Sequence, residues 1–245
     1  MKRIYLLLVI ALFFVGQDSV KAQFQIGLNS FNPILFGDLT KTELNNPGAG
    51  YVIYGTGGNI ELMYHFKNKL GVGFRSNYSI YTKDIDAYKL DLMSAIGVDE
   101  NNFMMQSVYA YHSLSGQFSV SYDISAGEKF SIEPYIYLGF NVFTSPIEEA
   151  VYFKNGSTFT RKKPVEAFGG FNYSPGVKFQ WVLLQKHLGL VLYAEYDGSS
   201  IENWSEEYIT YSSDSFTKSY VEKSYSIQSV NIGIGAYWRF GKTQE

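Results

Sequence analysis

Three histidines, His65, His112 and His187, are the natural places to look for acid–base or nucleophilic chemistry. A catalytic pair needs a hydroxyl or carboxylate within hydrogen-bond reach of the imidazole. His112 adjoins Ser113, but consecutive residues of a strand point to opposite faces. His65 and His187 fall beside short turns. Asp84 and Asp86 could act as a carboxylate pair, though no histidine is placed to join them. With Asp91, Asp99 and Glu100 they could also hold a hard cation, yet the calcium-loop spacing of alternating ligands, a Gly and a terminal Glu is absent. There is no cysteine, so thiolate nucleophiles, thiolate metal sites and disulfides are excluded. These residues predict a non-enzymatic protein with no catalytic, cofactor-binding or metal site.

The elements that carry these residues have a period of two. From Val108 to Tyr122 the even positions are Val, Ala, His, Leu, Gly, Phe, Val and Tyr, and the odd ones are Tyr, Ser and Gln. One face is mainly apolar and the other mainly hydroxylic, which marks a long strand between two different surroundings. Val230, Ile232, Ile234, Ala236, Trp238 and Phe240 repeat the pattern near the C-terminus. Eight strands are expected near residues 23–32, 49–66, 69–82, 104–124, 129–143, 168–184, 187–198 and 225–240. Most exceed the roughly 9–11 residues that cross a bilayer when tilted. The connections alternate long and short, the order of an up-and-down barrel with brief periplasmic turns and longer outside loops. A short helix is expected in the second long loop, where Tyr88, Leu92 and Ile96 share a face, Asp86 caps and Gly97 stops it. Pro33 should end or distort the first strand. Pro175, beside Gly176, should mark a bulge.

This phase sends six charged residues inward: Glu61, Arg75, Glu133, Lys178, Glu195 and Arg239, with His65 and Asp123 nearer the periplasmic end. Eight strands leave a lumen barely wide enough for side chains. Isolated charges there are costly, and opposite signs can pair. The six are therefore expected to form a network that closes the barrel at its middle.

Residues 1–22 read as a cleavable signal peptide: Lys2 and Arg3, an apolar run from Ile4 to Val15, then Val20-Lys21-Ala22 before Gln23. The run is too short for a spanning helix, which needs roughly 20 apolar residues. Removing it takes Lys2, Arg3 and Lys21 from 20 basic residues and Asp18 from 23 acidic ones, leaving a net charge of −5. An acidic chain is a poor partner for nucleic acid. One domain, residues 23–245, is expected to follow.

A soluble lipocalin-like ligand-binding barrel also shows alternating strands. Here the polar face is small and mostly uncharged, with Gly71, Gly73, Asn77, Ser113, Ser115, Ser119, Gly233 and Gly235. That suits a crowded lumen better than a solvated exterior. The apolar face carries Tyr64, Phe66, Phe130, Trp181, Trp238 and Phe240 near strand ends, where membrane interfaces collect aromatic rings. On these features the chain resembles the small eight-stranded outer-membrane β-barrels of Gram-negative bacteria, the OmpA, OmpX and OmpW type. Phe240, preceded by Trp238, Ala236, Ile234, Ile232 and Val230, resembles that family's C-terminal assembly signal, although the chain runs on from Gly241 to Glu245. The resemblance implies insertion by the barrel-assembly machinery and an outer-membrane location. It implies no particular activity.

Outside loops on a rigid scaffold carry function. The fourth loop holds Trp204, Tyr208, Tyr211 and Phe216, which offer adaptable contact area to a surface protein, glycan or lipopolysaccharide. The expectation is thus an all-β transmembrane antiparallel up-and-down barrel with a structural or interaction role through its loops. The alternative is a narrow, porin-like channel for ions or small apolar molecules.

Overall fold

The computed structural model describes residues 23–44, 49–108, 110–127, 129–184 and 187–240. The expected signal peptide, the turn at Gln185 and Lys186, and the tail from Gly241 to Glu245 lie outside the described residues. Among the described residues there are twelve strands: β1 (Gln23–Gly37), β2 (Val52–His65), β3 (Leu70–Lys83), β4 (Phe103–Val108), β5 (Tyr111–Tyr122), β6 (Ile124–Ser125), β7 (Phe130–Thr144), β8 (Glu148–Lys154), β9 (Ser157–Lys163), β10 (Ala167–Leu184), β11 (Leu188–Tyr211) and β12 (Phe216–Phe240). One helix, α1 (Ile85–Ile96), follows β3.

Eight of these strands close on themselves. The order runs β1, β2, β3, β5, β7, β10, β11, β12 and back to β1, with every ladder antiparallel. Following direct cross-strand partners once around the wall, Ile26 leads through Leu62, Phe74, Phe118, Leu138, Tyr173, Gly198 and Gln228 to Phe36. The path returns to β1 ten residues further on, so the shear is ten. Eight strands with that stagger tilt by about 40° from the barrel axis.

The two faces are opposite in character. The outward row of β1 and β12 is Phe24, Leu28, Ile34, Ile232, Ile234, Trp238 and Phe240, all exposed. The inward row across the barrel is polar and buried: Gln25, Asn59, Glu61, Arg75, Gln117, Asn141, Asn172 and Asn231. The narrow lumen is filled by pairing large residues with glycine on the next strand. Tyr193 stands directly opposite Gly233, Tyr237 opposite Gly189, Tyr135 opposite Gly176 and Met63 opposite Gly73. A Cβ at any of these glycines would run into its partner's side chain. The small polar face is thus half of a large-against-small packing scheme.

The prolines sit where one of a strand's two ladders is interrupted. β1 continues past Pro33 to Gly37 along β12, but its ladder to β2 stops at Phe31–Gly57. Pro175 keeps its register with β7 and makes no bulge. Its ladder to β11 skips from Tyr173–Gly198 to Gly176–Glu195 without a register change, because only one neighbour needs the donor that proline lacks. The irregularity in β10 falls instead between Val182 and Leu184.

The outer connections are built structure, contrary to the loops expected from sequence. β11 and β12 continue upward as one hairpin, paired as far as Tyr211–Phe216. A register shift between Ile201 and Trp204 reverses which side chains of β11 face inward. Above it β11 pairs with β9, β9 with β8 and β8 with β4, forming a ledge over the barrel mouth. α1 packs on it through Tyr88, Leu92 and Met93, against Ala49, Tyr51, Phe103 and Ala150. The helix cap is Asp84, which accepts from the Ala87 amide, and not Asp86. Gly97 ends the helix with φ 74°, a left-handed conformation that suits glycine.

Candidate functional site: a closed lumen beneath an ordered ledge

The lumen is crossed by ion pairs between opposite walls. Arg75 on β3 meets Glu195 on β11 at 2.6 Å. Lys178 on β10 meets Glu61 on β2. In each case the two strands are four apart in the ring of eight, so each pair spans the full lumen. Further groups satisfy the charges. Arg75 Nε donates to Gln117, its guanidinium lies 3.9 Å from the centre of the Tyr137 ring, and Glu195 accepts from Tyr135 OH and Asn231. Lower down, Glu133 accepts from Gln180 and contacts His65 at 3.4 Å. Arg239 donates to Gln25 and Gln180 at 2.9 and 2.5 Å. All six inward charges named from the sequence therefore lie in the lumen with polar partners. Asp123 Oδ1 is buried without one. The space beside Glu61, Lys178 and Tyr237 is about 10 Å³, room for a single water at most.

A second closure lies above the polar one and was not read from the sequence. Val52, Tyr81, Tyr111, Phe143, Ile201 and Ile227 turn inward from six strands, and Leu35 and Phe168 join them from β1 and β10. Leu39, fully buried, enters from the short turn after β1. Each barrel strand thus supplies one apolar side chain to a layer that seals the outer mouth. The signal was a change from polar to apolar in the inward phase, such as Ser79 to Tyr81 and Asn141 to Phe143.

The ledge is tied to the barrel by a buried charge cluster. Glu148 of β8 meets Lys83 of β3 at 2.6 Å and Lys163 of β9 at 3.5 Å, and accepts from Tyr88 of α1. Lys163 also reaches Glu206 of β11 at 3.1 Å, and Glu206 accepts from Tyr208. Burial alone would raise the Glu148 carboxyl, but Lys163 and Lys83 outweigh it and hold it well below the usual carboxylate range. Burial would lower Lys163, and Glu148 and Glu206 more than offset that. Burial, reinforced by Glu148, pushes the Tyr88 phenol up.

The loop aromatics separate. Tyr208 is buried, with Arg161 4.1 Å from its ring centre, so it is a ledge residue and not a contact surface. Tyr211 and Phe216 are exposed cross-strand partners at the hairpin tip. Trp204 pairs in register with Lys223. The histidines bond elsewhere: His112 to Tyr78 OH on the outer wall at 2.7 Å, and His187 to the Arg239 carbonyl at 2.9 Å. Ser113 is buried on the inward face, away from His112. Asp84 and Asp99 accept from backbone amides, Asp91 from Tyr51 OH, and Glu100 pairs with Lys89. Among the described residues no group of three or more His, Asp or Glu side chains could hold a metal ion.

No family model matches the chain, and no curated protein does. Among solved structures it is similar to a major outer membrane protein of Thermus thermophilus, at 16% identity and a TM-score of 0.48, covering 89% of this chain and 99% of that one. It is similar to the attachment invasion locus protein Ail of Yersinia pestis, at 14% identity and 0.44, covering 90% and 99%. It is also similar to the outer membrane protein OprG of Pseudomonas aeruginosa, at 14% and 0.43, covering 93% and 99%. The ladders themselves define the fold, and the chain is a closed, eight-stranded antiparallel β-barrel.

Proposed function

We propose that the protein is an integral outer-membrane barrel, non-enzymatic and closed in its lumen, that displays an ordered ledge and hairpin for contact with a surface protein or glycan. The observation that carries this reading is the inversion of the barrel. Phe118, Phe140, Leu28 and Ile234 stand more than 60% exposed on its outside, while Arg75, Glu133 and Gln117 are at most 1% exposed inside. A soluble barrel of the lipocalin kind would bury the first set and wet the second. Rings at the two ends of the apolar belt, such as Trp181, Trp238 and Tyr64 below and Phe36 and Tyr54 above, suit the two membrane interfaces. A narrow channel for ions or small apolar molecules finds less support, since both the charge network and the apolar layer stand in its way.

Membrane-extracted protein should migrate differently on SDS gels before and after heating, as a barrel that resists detergent until heated. Recovery of the whole population from the soluble periplasm would overturn the membrane reading. For the contact role, the tip pair is the place to test. Tyr211→Ala with Phe216→Ala should keep that heat-dependent migration and weaken capture of a surface partner about tenfold or more, in line with the loss of two aromatic anchors. Undiminished capture would show that the tip pair makes no contact with the partner.

A further inference from the structure

The wall of the barrel has a seam between β1 and β2. β1 is laddered to β2 only from Gln23–His65 to Phe31–Gly57. Above that level β1 stays paired with β12 as far as Gly37, and β2 stays paired with β3 as far as Val52. Among the described residues no ladder joins the stretch Asn32 to Gly37 to the stretch Val52 to Thr56. The same region carries the polar side chains of the outward face. The outward row of β1 reads Phe24, Ile26, Leu28, Ser30, Asn32, Ile34, Phe36, so Ser30 and Asn32 sit in the middle of the apolar belt. Both are exposed, as is Thr56 on the facing strand. The Ser30 hydroxyl reaches the Gly57 carbonyl at 3.4 Å, and the Asn32 side chain makes no hydrogen bond to a described residue.

Hydrocarbon cannot satisfy these polar side chains, which at membrane depth are tolerated only against protein or water. An asparagine amide is both donor and acceptor, so it is complementary to itself. A second copy of this chain, turned about a two-fold axis, would present the same amide to Asn32 and the same hydroxyls to Ser30 and Thr56. Small residues at the site, Ser30 and Gly58 opposite it on β2, allow two walls to approach closely, as polar groups flanked by small residues do between membrane segments.

We propose that the protein pairs with a second copy of itself within the membrane through the β1–β2 seam, with Ser30, Asn32 and Thr56 hydrogen-bonding across a two-fold axis. The inference rests on the membrane reading of the barrel.

The chain has no cysteine, so single cysteines report proximity cleanly. Ile34→Cys places a thiol on the seam, and Leu138→Cys places one on β7, four strands away around the ring. In intact membranes treated with copper phenanthroline, Ile34→Cys should give a crosslinked dimer and Leu138→Cys should not. Adding Asn32→Leu to Ile34→Cys should lower the dimer yield at least fivefold, with heat-dependent migration unchanged. Three results would overturn the proposal. One is monomeric Ile34→Cys labelled by a water-soluble maleimide, which means a hydrated seam. Another is monomeric Ile34→Cys that stays unlabelled, which means lipid cover. The third is equal crosslinking of both variants, which means random collision. Failure of the membrane reading itself would look different, as soluble protein without heat-dependent migration.

Discussion

Arg75 and Glu195 lie on opposite walls of the barrel and join across its lumen at 2.6 Å, each 1% exposed at the side chain. Breaking such a pair from one side leaves a buried charge without its counterion, which costs on the order of 3–5 kcal/mol. Arg75→Met should therefore destabilise the barrel by about that much, read as a lower urea midpoint in lipid vesicles. The double variant Arg75→Met with Glu195→Gln should recover a large part of the loss, because no lone charge remains. Equal instability of the single and double variants would mean that the pair matters for its packing and not for its charge.

Tyr193 and Gly233 make a different kind of fit. They are direct cross-strand partners, and a Cβ at Gly233 would meet the Tyr193 ring. Gly233→Ala should cost about 1–3 kcal/mol through overpacking. Tyr193→Ser added to it should relieve the clash, leaving a smaller net loss than the two single costs together. The fraction of heat-modifiable protein after refolding checks this, and strict additivity would contradict it.

The ledge should be steady across a wide pH range. The Glu148 carboxyl is depressed, so its contribution is present above the ordinary Glu value of about 4.3 and is lost as pH falls through its lower folded value. Lys163 is raised, so its contribution is present below the ordinary Lys value of about 10.4 and is lost as pH rises through its higher folded value. Lys83, the other partner of Glu148, is pushed down by burial to about 8, so hydrogen exchange of α1 should vary little, beyond intrinsic chemistry, from about pH 4.3 up to about pH 8, above which Lys83 loses its charge. Glu148→Gln should speed that exchange roughly a hundredfold or more, the size expected for a broken buried pair. Unchanged exchange in the variant would show that the apolar contacts of α1 hold the ledge alone.

The barrel was legible because its two environments write a period of two. Each inward charge, from Glu61 to Arg239, could be assigned to the lumen from strand phase, but its partner could not. Partners four strands apart, such as Lys178 and Glu61, depend on the shear, which no single strand encodes. The ledge was hidden for a different reason. Its inner face buries Glu148, Lys163 and Glu206, which satisfy one another, so hydropathy along β8, β9 and upper β11 shows no apolar row. The extra residue in β11 before Trp204 also shifts the phase, which is why Tyr208 looked like a surface aromatic and is in fact inside. Pro175 makes no bulge because only its ladder to β11 lacks a donor, while the ladder to β7 keeps its register.

The barrel is closed twice, by charges that span its lumen and by an apolar layer around Leu39. Single-channel recording of the purified, heat-modifiable protein in planar bilayers tests this closure most directly. A barrel closed in this way should give no steady open-pore current, with at most rare, brief events. A large, continuous conductance from the folded protein would contradict it.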